Sequence, residues 1–457
     1  MQFVGPIVGK VTETTARVVL QSDAPGLVTI GLQAFGSSRI EKSAVASADE
    51  PVVGIAFDNL APATVYELSV AVDGKQIAGR TGRVTTRASQ AERLQVAAVS
   101  CNFTVREGDA QRWQHLLETQ IRTGLVSTVL HIGDQVYLDT AFGQSIQDVR
   151  SRGRTEEVRR EITARFRRVY EYAWNYAPTR EVLATASNLM IWDDHELRNG
   201  WGSHEQDRNP ESNRFWVATI ARRIFQDFQR RLWAEPDASV AHEGHAHVHG
   251  KLGIVFLDQR GARTFSYDAA RPYLGRAQWQ WLRETLESVA FAQVTALLIV
   301  TSVPLLYVGE SAAALGGIVF SDLRDQWSHP DHRGEQADLI FLIRNWKGKS
   351  TEKTIAVLGG DVHVAGQTVV EELDGAGEWQ RIFDQFITSP ITNEPPGPLS
   401  FFGLKTLLLN QNEPINERLR YRHEYLTRRR NYAVLELAAP AAGRPSIVGK
   451  LWEDERD

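Results

Sequence analysis

Cysteine is nearly absent from this chain. Cys101 is the one thiol in 457 residues, which excludes an intramolecular disulfide framework. Two methionines leave the core little adaptable filler. No apolar run approaches the roughly 18–20 residues of a membrane-spanning helix, which excludes an integral helical membrane protein. The amino terminus, Met1-Gln2-Phe3-Val4-Gly5-Pro6, carries no basic stretch, apolar segment or twin arginine. A cytoplasmic location is therefore expected, or a secreted or periplasmic one if a leader has been removed. Excess positive charge is missing too. Lys and Arg total 51 against 56 Asp and Glu, a net charge of −5, which excludes a generally basic nucleic-acid binder. Internal repeats and low-complexity tracts are also lacking.

What is there reads as globular. Hydrophobic residues make up 42% and charged residues 23%, which excludes disorder, and the length predicts two to three domains at roughly 150 residues each. Residues 1–90 read as all-β, with short runs such as Ala16 to Leu20 and Val28 to Leu32 between Gly, Pro, Ser and Asp. The spacing Leu60-x-Pro62-x-Thr64-x-Tyr66 resembles the turn and strand near the end of a fibronectin type III or Ig-like β-sandwich. There the tyrosine buries its ring and its hydroxyl bonds back to the chain. A polar linker, Arg87 to Arg93, follows. Residues 91–457 then alternate short Val/Ile/Leu runs with amphipathic stretches, the pattern of an α/β domain. Gln111 to Thr123 is one such stretch, with Trp113, Leu116, Leu117, Gln120 and Ile121 at helical spacing.

Six apolar runs end in polar clusters. Gln95 to Ser100 ends in Cys101-Asn102, Ser127 to Ile132 in Gly133-Asp134-Gln135-Val136-Tyr137, and Asn188 to Trp192 in Asp193-Asp194-His195-Glu196. Leu252 to Leu257 ends in Asp258-Gln259-Arg260, Thr295 to Val300 in Thr301-Ser302, and Thr354 to Leu358 in Gly359-Gly360-Asp361-Val362-His363. Sites in open α/β sheets form outside the carboxyl ends of the strands. If the runs are such strands, five clusters bring metal- or phosphate-competent groups to one edge. Asp134 and Tyr137 face one site if a helical turn starts there; otherwise Asp134 caps the turn and Tyr137 packs in the core. A lone cysteine such as Cys101 is ordinarily a small buried hydrophobe.

These motifs, in this order, resemble the PhoD-like alkaline phosphatase and phosphodiesterase family, a branch of the calcineurin-like metallophosphatases. Asp322-Leu323-Arg324-Asp325-Gln326-Trp327 and Ser389-Pro390-Ile391-Thr392-Asn393 match as well. The wider superfamily opens with Asp-x-His, carries Gly-Asn-His-Glu or Asp third and closes with Gly-His-x-His. Ser100-Cys101-Asn102, Asp193-Asp194-His195-Glu196 and Gly360-Asp361-Val362-His363 depart from these toward the PhoD-like pattern. The resemblance implies a four-layer α/β/β/α metallophosphatase domain behind the small sandwich.

It also implies a metal-dependent phosphate monoester or diester hydrolase. Cys101, Asp134, Tyr137 and His363 would hold one metal, and Asp134, Asp194 and Asp361 a second. Thiolate and phenolate donors suit Fe³⁺, whereas carboxylates alone suit a hard ion such as Ca²⁺; Mg²⁺, Mn²⁺ or Zn²⁺ are alternatives. His195, its pKa raised by a carboxylate such as Asp193, would protonate the leaving oxygen, and Arg260 would clamp phosphate oxygens or form a surface salt bridge. A phospholipase D-like diesterase, or a binding scaffold with a structural metal, are the alternative functions.

Other signals point less far. His242, His245, His247 and His249 cluster, and the last three alternate as on one strand face. The preferred reading is an exposed loop leading into the Leu252 strand. Arginines from Arg150 to Arg180 interleave with Glu156, Glu157 and Glu161, so a solvated helix face is expected rather than a nucleic-acid groove, and Arg428-Arg429-Arg430 reads alike. Specificity is expected from loops 140–188 and 305–350, and Ala312 to Gly317 as a mobile loop over the site.

Overall fold

A computed structural model of the chain describes residues 2–104, 107–263, 271–310, 313, 325–348 and 351–454. Seven strands open it: β1 (Val4–Val11), β2 (Ala16–Gln21), β3 (Gly26–Ala34), β4 (Ile40–Ala46), β5 (Val52–Phe57), β6 (Val65–Val72) and β7 (Lys75–Thr85). They form two antiparallel sheets, β1-β2-β5 and β4-β3-β6-β7. Alternate residues such as Val18, Leu20, Val28, Ile30, Ile55, Tyr66, Leu68 and Val84 meet in one core, as a strand period of two requires. The Tyr66 ring is buried, and its hydroxyl accepts a hydrogen bond from the Ala61 N–H at 2.8 Å.

All six apolar runs are parallel strands. Three lie in a five-stranded sheet: β8 (Arg93–Val99), β9 (Thr128–Ile132) and β10 (Ser187–Ile191). Next along the chain come β11 (His245–His249), β12 (Leu252–Leu257), β13 (Ala296–Thr301), β14 (Thr354–Gly359), β15 (Ala365–Leu373), β16 (Trp379–Ile387), β17 (Glu413–Pro414) and β18 (Leu419–Thr427). These eight form one sheet in the order β11-β12-β13-β14-β16-β15-β18-β17. The last strands, β19 (Asn431–Ala438) and β20 (Ser446–Glu453), complete the five-stranded sheet as β10-β9-β8-β19-β20.

The two large sheets share a core. Val96, Ala98, Leu130 and Ile132 of one pack with Ile254, Phe256, Leu298, Val300, Ala356 and Leu358 of the other. The intervening residues face helices. Val255, Leu257, Leu297 and Ile299 meet Trp279 and Leu282 of the helix Gly275–Glu287 and Leu339 and Ile343 of the helix Arg333–Lys347. On the other side Ala97, Val99 and Val129 meet Trp113 and Leu116 of α1 (Gln111–Leu116) and Val182 of α4 (Ala177–Thr185). Burial on both faces is why these strands read as unbroken apolar runs.

Several expectations change here. The helical stretch from Gln111 is α-helical only to Leu116; Leu117–Ile121 widens to a π turn, with the Arg122 N–H donating to Leu117 O at 2.9 Å. Residues 140–188 are no specificity loop, because α2 (Asp139–Arg152), α3 (Glu156–Trp174) and α4 fill that stretch. The histidine-rich segment is not an exposed loop. His245–His249 is strand β11, antiparallel to β12, with His245, His247 and His249 buried. Ala312 to Gly317 lies outside the described residues apart from Ala313, which is buried. Among the described residues no helix is long and apolar enough to cross a membrane.

Candidate active site

The polar clusters at the ends of β8, β9, β10 and β14 converge on a cavity of about 500 Å³. Its lining includes Phe103, Tyr137, Asp194, His195, Tyr307, Asp361, His363 and Asn393. The backbone turns sharply to deliver these groups. Of the ten described non-glycine residues with positive φ, four are here: Cys101 (54°), Asp134 (56°), Asp361 (63°) and His363 (52°). Such conformations cost energy for any side chain and concentrate where surrounding structure enforces them. The close approach of the strand ends explains Gly133 as well. A Cβ there would lie 2.5 Å from the Asp193 Cβ, at a φ of 92°.

Asp134 is the hub. The Cys101 thiol lies 3.5 Å from its Oδ2, the Tyr137 hydroxyl donates to the same oxygen at 3.3 Å, and the His195 N–H points at Oδ1 at 3.4 Å. Ligand-competent oxygens of Asp134, Asp193, Asp194 and Asp361 all lie within 4.8 Å of one another, and a second set joins Asp134, Asp194 and His195. Asp134 and Tyr137 therefore do face one site. They do so from a loop that precedes α2, not from a helical turn. His363 joins through Asn393, whose Nδ2 donates to the Tyr137 hydroxyl at 2.7 Å and lies 3.2 Å from His363 Nε2.

Burial and crowding dominate the electrostatics. Burial, followed by Asp134 and Asp361, pushes the Cys101 thiol well above its usual range. Burial and then Asp134 do the same to the Tyr137 phenol. Asp134 is raised by burial and by neighbouring carboxylates despite the pull of His195, and Asp361 by burial, Asp193 and Asp194. Burial opposes charge on His195, yet Asp194, Asp134 and Asp139 together raise it well above an ordinary histidine. Burial, with His195 behind it, lowers His363 to about 4.

Two expectations are corrected. Arg260 is neither a surface salt bridge nor a free phosphate clamp. Its guanidinium is fully buried, pairs with Asp193, reaches Asp325 at 2.7 Å and donates to Trp201 O at 3.3 Å. It is taken up as the counter-ion of the carboxylates and does not line the cavity. The carboxylate that orients His195 is not Asp193, which is tied to Arg260 and the Ser302 hydroxyl. It is Asp139, at the start of α2, whose Oδ2 lies 2.7 Å from His195 Nδ1.

Sequence reasoning also missed Glu196. Its buried carboxylate accepts N–H groups from Asp193 at 2.8 Å, Asp134 at 3.0 Å and Gln135 at 2.8 Å, fastening two strand-end loops together. The matching of an acidic residue to the turn after β10 was the available signal.

Four clustered carboxylates fit a cation. At 4 Å a pair of like charges costs about 4 kcal/mol at an effective dielectric near 20. Four ionised carboxylates make six pairs, more than one buried arginine shared with Asp325 can offset. Asp193 Oδ2 and Asp194 Oδ1 are buried and have no hydrogen-bond partner. Oxygens left open in this way are what a hard ion takes up.

The chain is similar to several known proteins. The structure titled "Structure of PhoD" superimposes with a TM-score of 0.69 at 14% identity, covering 98% of this chain and 89% of that one. The Plasmodium protein GAP50, described as the anchor in the inner membrane complex, is similar at a TM-score of 0.39 and 10% identity, covering 80% of this chain and 86% of that one. An FN3 domain of human collagen XX matches 18% of this chain and 88% of its own length at 24% identity and a TM-score of 0.16. No curated protein sequence matches. The model of the PhoD-like phosphatase family matches residues 96–441, which is 346 of the 457 residues. The chain belongs to the PhoD-like phosphatase family.

Proposed function

We propose that this protein is a metal-dependent hydrolase of phosphate esters, acting in the cavity around Asp134. The observation that carries the reading is the convergence of Asp134, Asp193, Asp194 and Asp361 within 4.8 Å beside that cavity. Cys101, Asp134, Tyr137 and His363 would hold Fe³⁺, and Asp134, Asp194 and Asp361 would hold Ca²⁺. When bound, the ions supply positive charge for the phosphoryl oxygens and Lewis acidity toward water.

The chain's own residues do the rest. Asp139 accepts the Nδ1 proton of His195 and orients the ring. Nε2 is then free to give a proton to the departing alcohol oxygen. Arg260 holds Asp193 and balances part of the acidic charge. Phe103, Tyr307, Val362 and Leu404 give the cavity apolar surface that limits water around the reacting ester. Monoesters and diesters are both accommodated in this reading. The boundary is placed near residue 90, with a fibronectin type III-like sandwich over 1–90 and a four-layer α/β/β/α catalytic domain over 91–457.

Elemental analysis of folded, chelator-free protein tests the site, with a visible spectrum on the same sample. Iron with a broad visible band, and calcium beside it, is the expected result. Absence of both iron and band overturns the Cys101 and Tyr137 assignment. Absence of turnover on both phosphate monoesters and diesters by metal-loaded protein overturns the hydrolase reading.

A further inference from the structure

Strand β11 carries a row of groups the hydrolase reading does not use. His245, His247 and His249 share one face and are only 6%, 8% and 6% exposed. Their tautomers follow from their neighbours. His245 Nε2 lies 3.0 Å from the Met190 carbonyl, which can only accept, so Nε2 carries the proton. Nδ1 of His245 then accepts from His247 Nε2 at 2.8 Å. This leaves His247 Nδ1 as a buried lone pair without a partner. His249 Nδ1 also lacks a hydrogen bond and lies 3.5 Å from Glu13 Oε1. Burial keeps all three rings neutral.

The groups facing it come from both parts of the molecule. The amino-terminal sandwich contributes Lys10 on β1, Glu13 just after it, and Arg87. Arg87 is anchored by donating to Val11 O at 3.0 Å and to the Thr128 hydroxyl at 3.3 Å. The body contributes Arg230, whose charge Glu243 already holds at 2.8 Å, together with Trp233 and Phe256 stacked on His245. Glu13 is the one carboxylate in contact with the row among the described residues, against Lys10, Arg87 and Arg230. This is also where the sandwich docks. Val8 O and Gly9 O of the edge strand β1 accept from Asn188 Nδ2 at 3.0 Å and Ser187 Oγ at 2.8 Å at the start of β10.

We propose that the histidine row is an acid-sensitive latch, which holds the sandwich on the catalytic body while its rings are neutral and releases it when they take up protons. Burial, with the cations adding to it, lowers His245 to about 3 and His249 to about 2, and lowers His247 as well. The docked state therefore binds fewer protons than the released one. Docking is fully favoured above the free histidine value of about 6.5 and weakens as pH falls below it, by up to about tenfold per histidine per pH unit. This inference does not depend on the hydrolase reading.

Hydrogen exchange of the full chain from pH 8 to 5, corrected for intrinsic rates, tests it. Protection of β1 and β11 is expected to fall by more than tenfold per pH unit below about 6, while β13 and β14 keep theirs. In the double variant His247→Gln/His249→Gln the dependence drops to tenfold per unit or less. Equal loss of protection in β1 and β13 overturns the latch, as does a double variant with the wild-type slope. If the double variant does not fold, the single variant His249→Gln takes its place, and a wild-type slope in it overturns the latch.

Discussion

Two clusters of buried ionisable groups flank β10, one beyond its carboxyl end at Asp193 and Asp194 and one alongside it where His245 meets the Met190 carbonyl, and each carries an excess of one sign. Around Asp134 four carboxylates crowd together with Arg260 as their buried counter-ion. Around His247 three imidazoles sit with Lys10, Arg87 and Arg230 against Glu13. The first cluster opens on a cavity, keeps unpartnered oxygens and can be completed by an ion from outside. The second is closed, so it relieves the same stress by staying unprotonated. Like-charge crowding marks a site for chemistry when solvent reaches it, and a site for pH dependence when it does not.

The comparison breaks most easily at His195. His195→Ala is expected to lower kcat by about 10²–10⁴-fold with metal content unchanged. Steady-state kinetics beside elemental analysis checks this, and His247→Gln should leave kcat at the wild-type value at pH 8. Asp139→Asn sharpens the point. Replacing one charge-assisted hydrogen bond, worth about 1.5–3 kcal/mol, should lower kcat roughly 10- to 100-fold while KM and metal content stay near wild type. The smallest effect is expected at Tyr66→Phe, which removes the bond to the Ala61 N–H. It should cost about 1 kcal/mol in urea denaturation, and equally at pH 8 and pH 6, unlike any change in the histidine row.

Much of the site was legible because the chemistry follows each strand end directly. Asp134, Asp194 and Asp361 come within a few residues of apolar runs whose length and composition suit buried parallel strands. Tyr66 was legible for a similar local reason, since its partner Ala61 is five residues away. The failures are all long-range. Whether Arg260 faces a cavity depends on Asp193 and Asp325, each more than 60 residues distant. Asp139 and His195 meet across 56 residues. Strand β11 was misread because polar histidines on a buried face invert the usual alternation, and nothing local announces that Trp233 and Phe256 will cover them.

The left-handed backbone at Cys101, Asp134, Asp361 and His363 has a consequence for anyone who would engineer this protein. Each position disfavours a side chain by about 1–2 kcal/mol relative to glycine, the residue that occupies such conformations freely. A screen that rewards heat resistance alone would drift toward glycine at these four positions. It would return sturdier proteins from which the ligands had been removed, so selection here has to read activity and stability together.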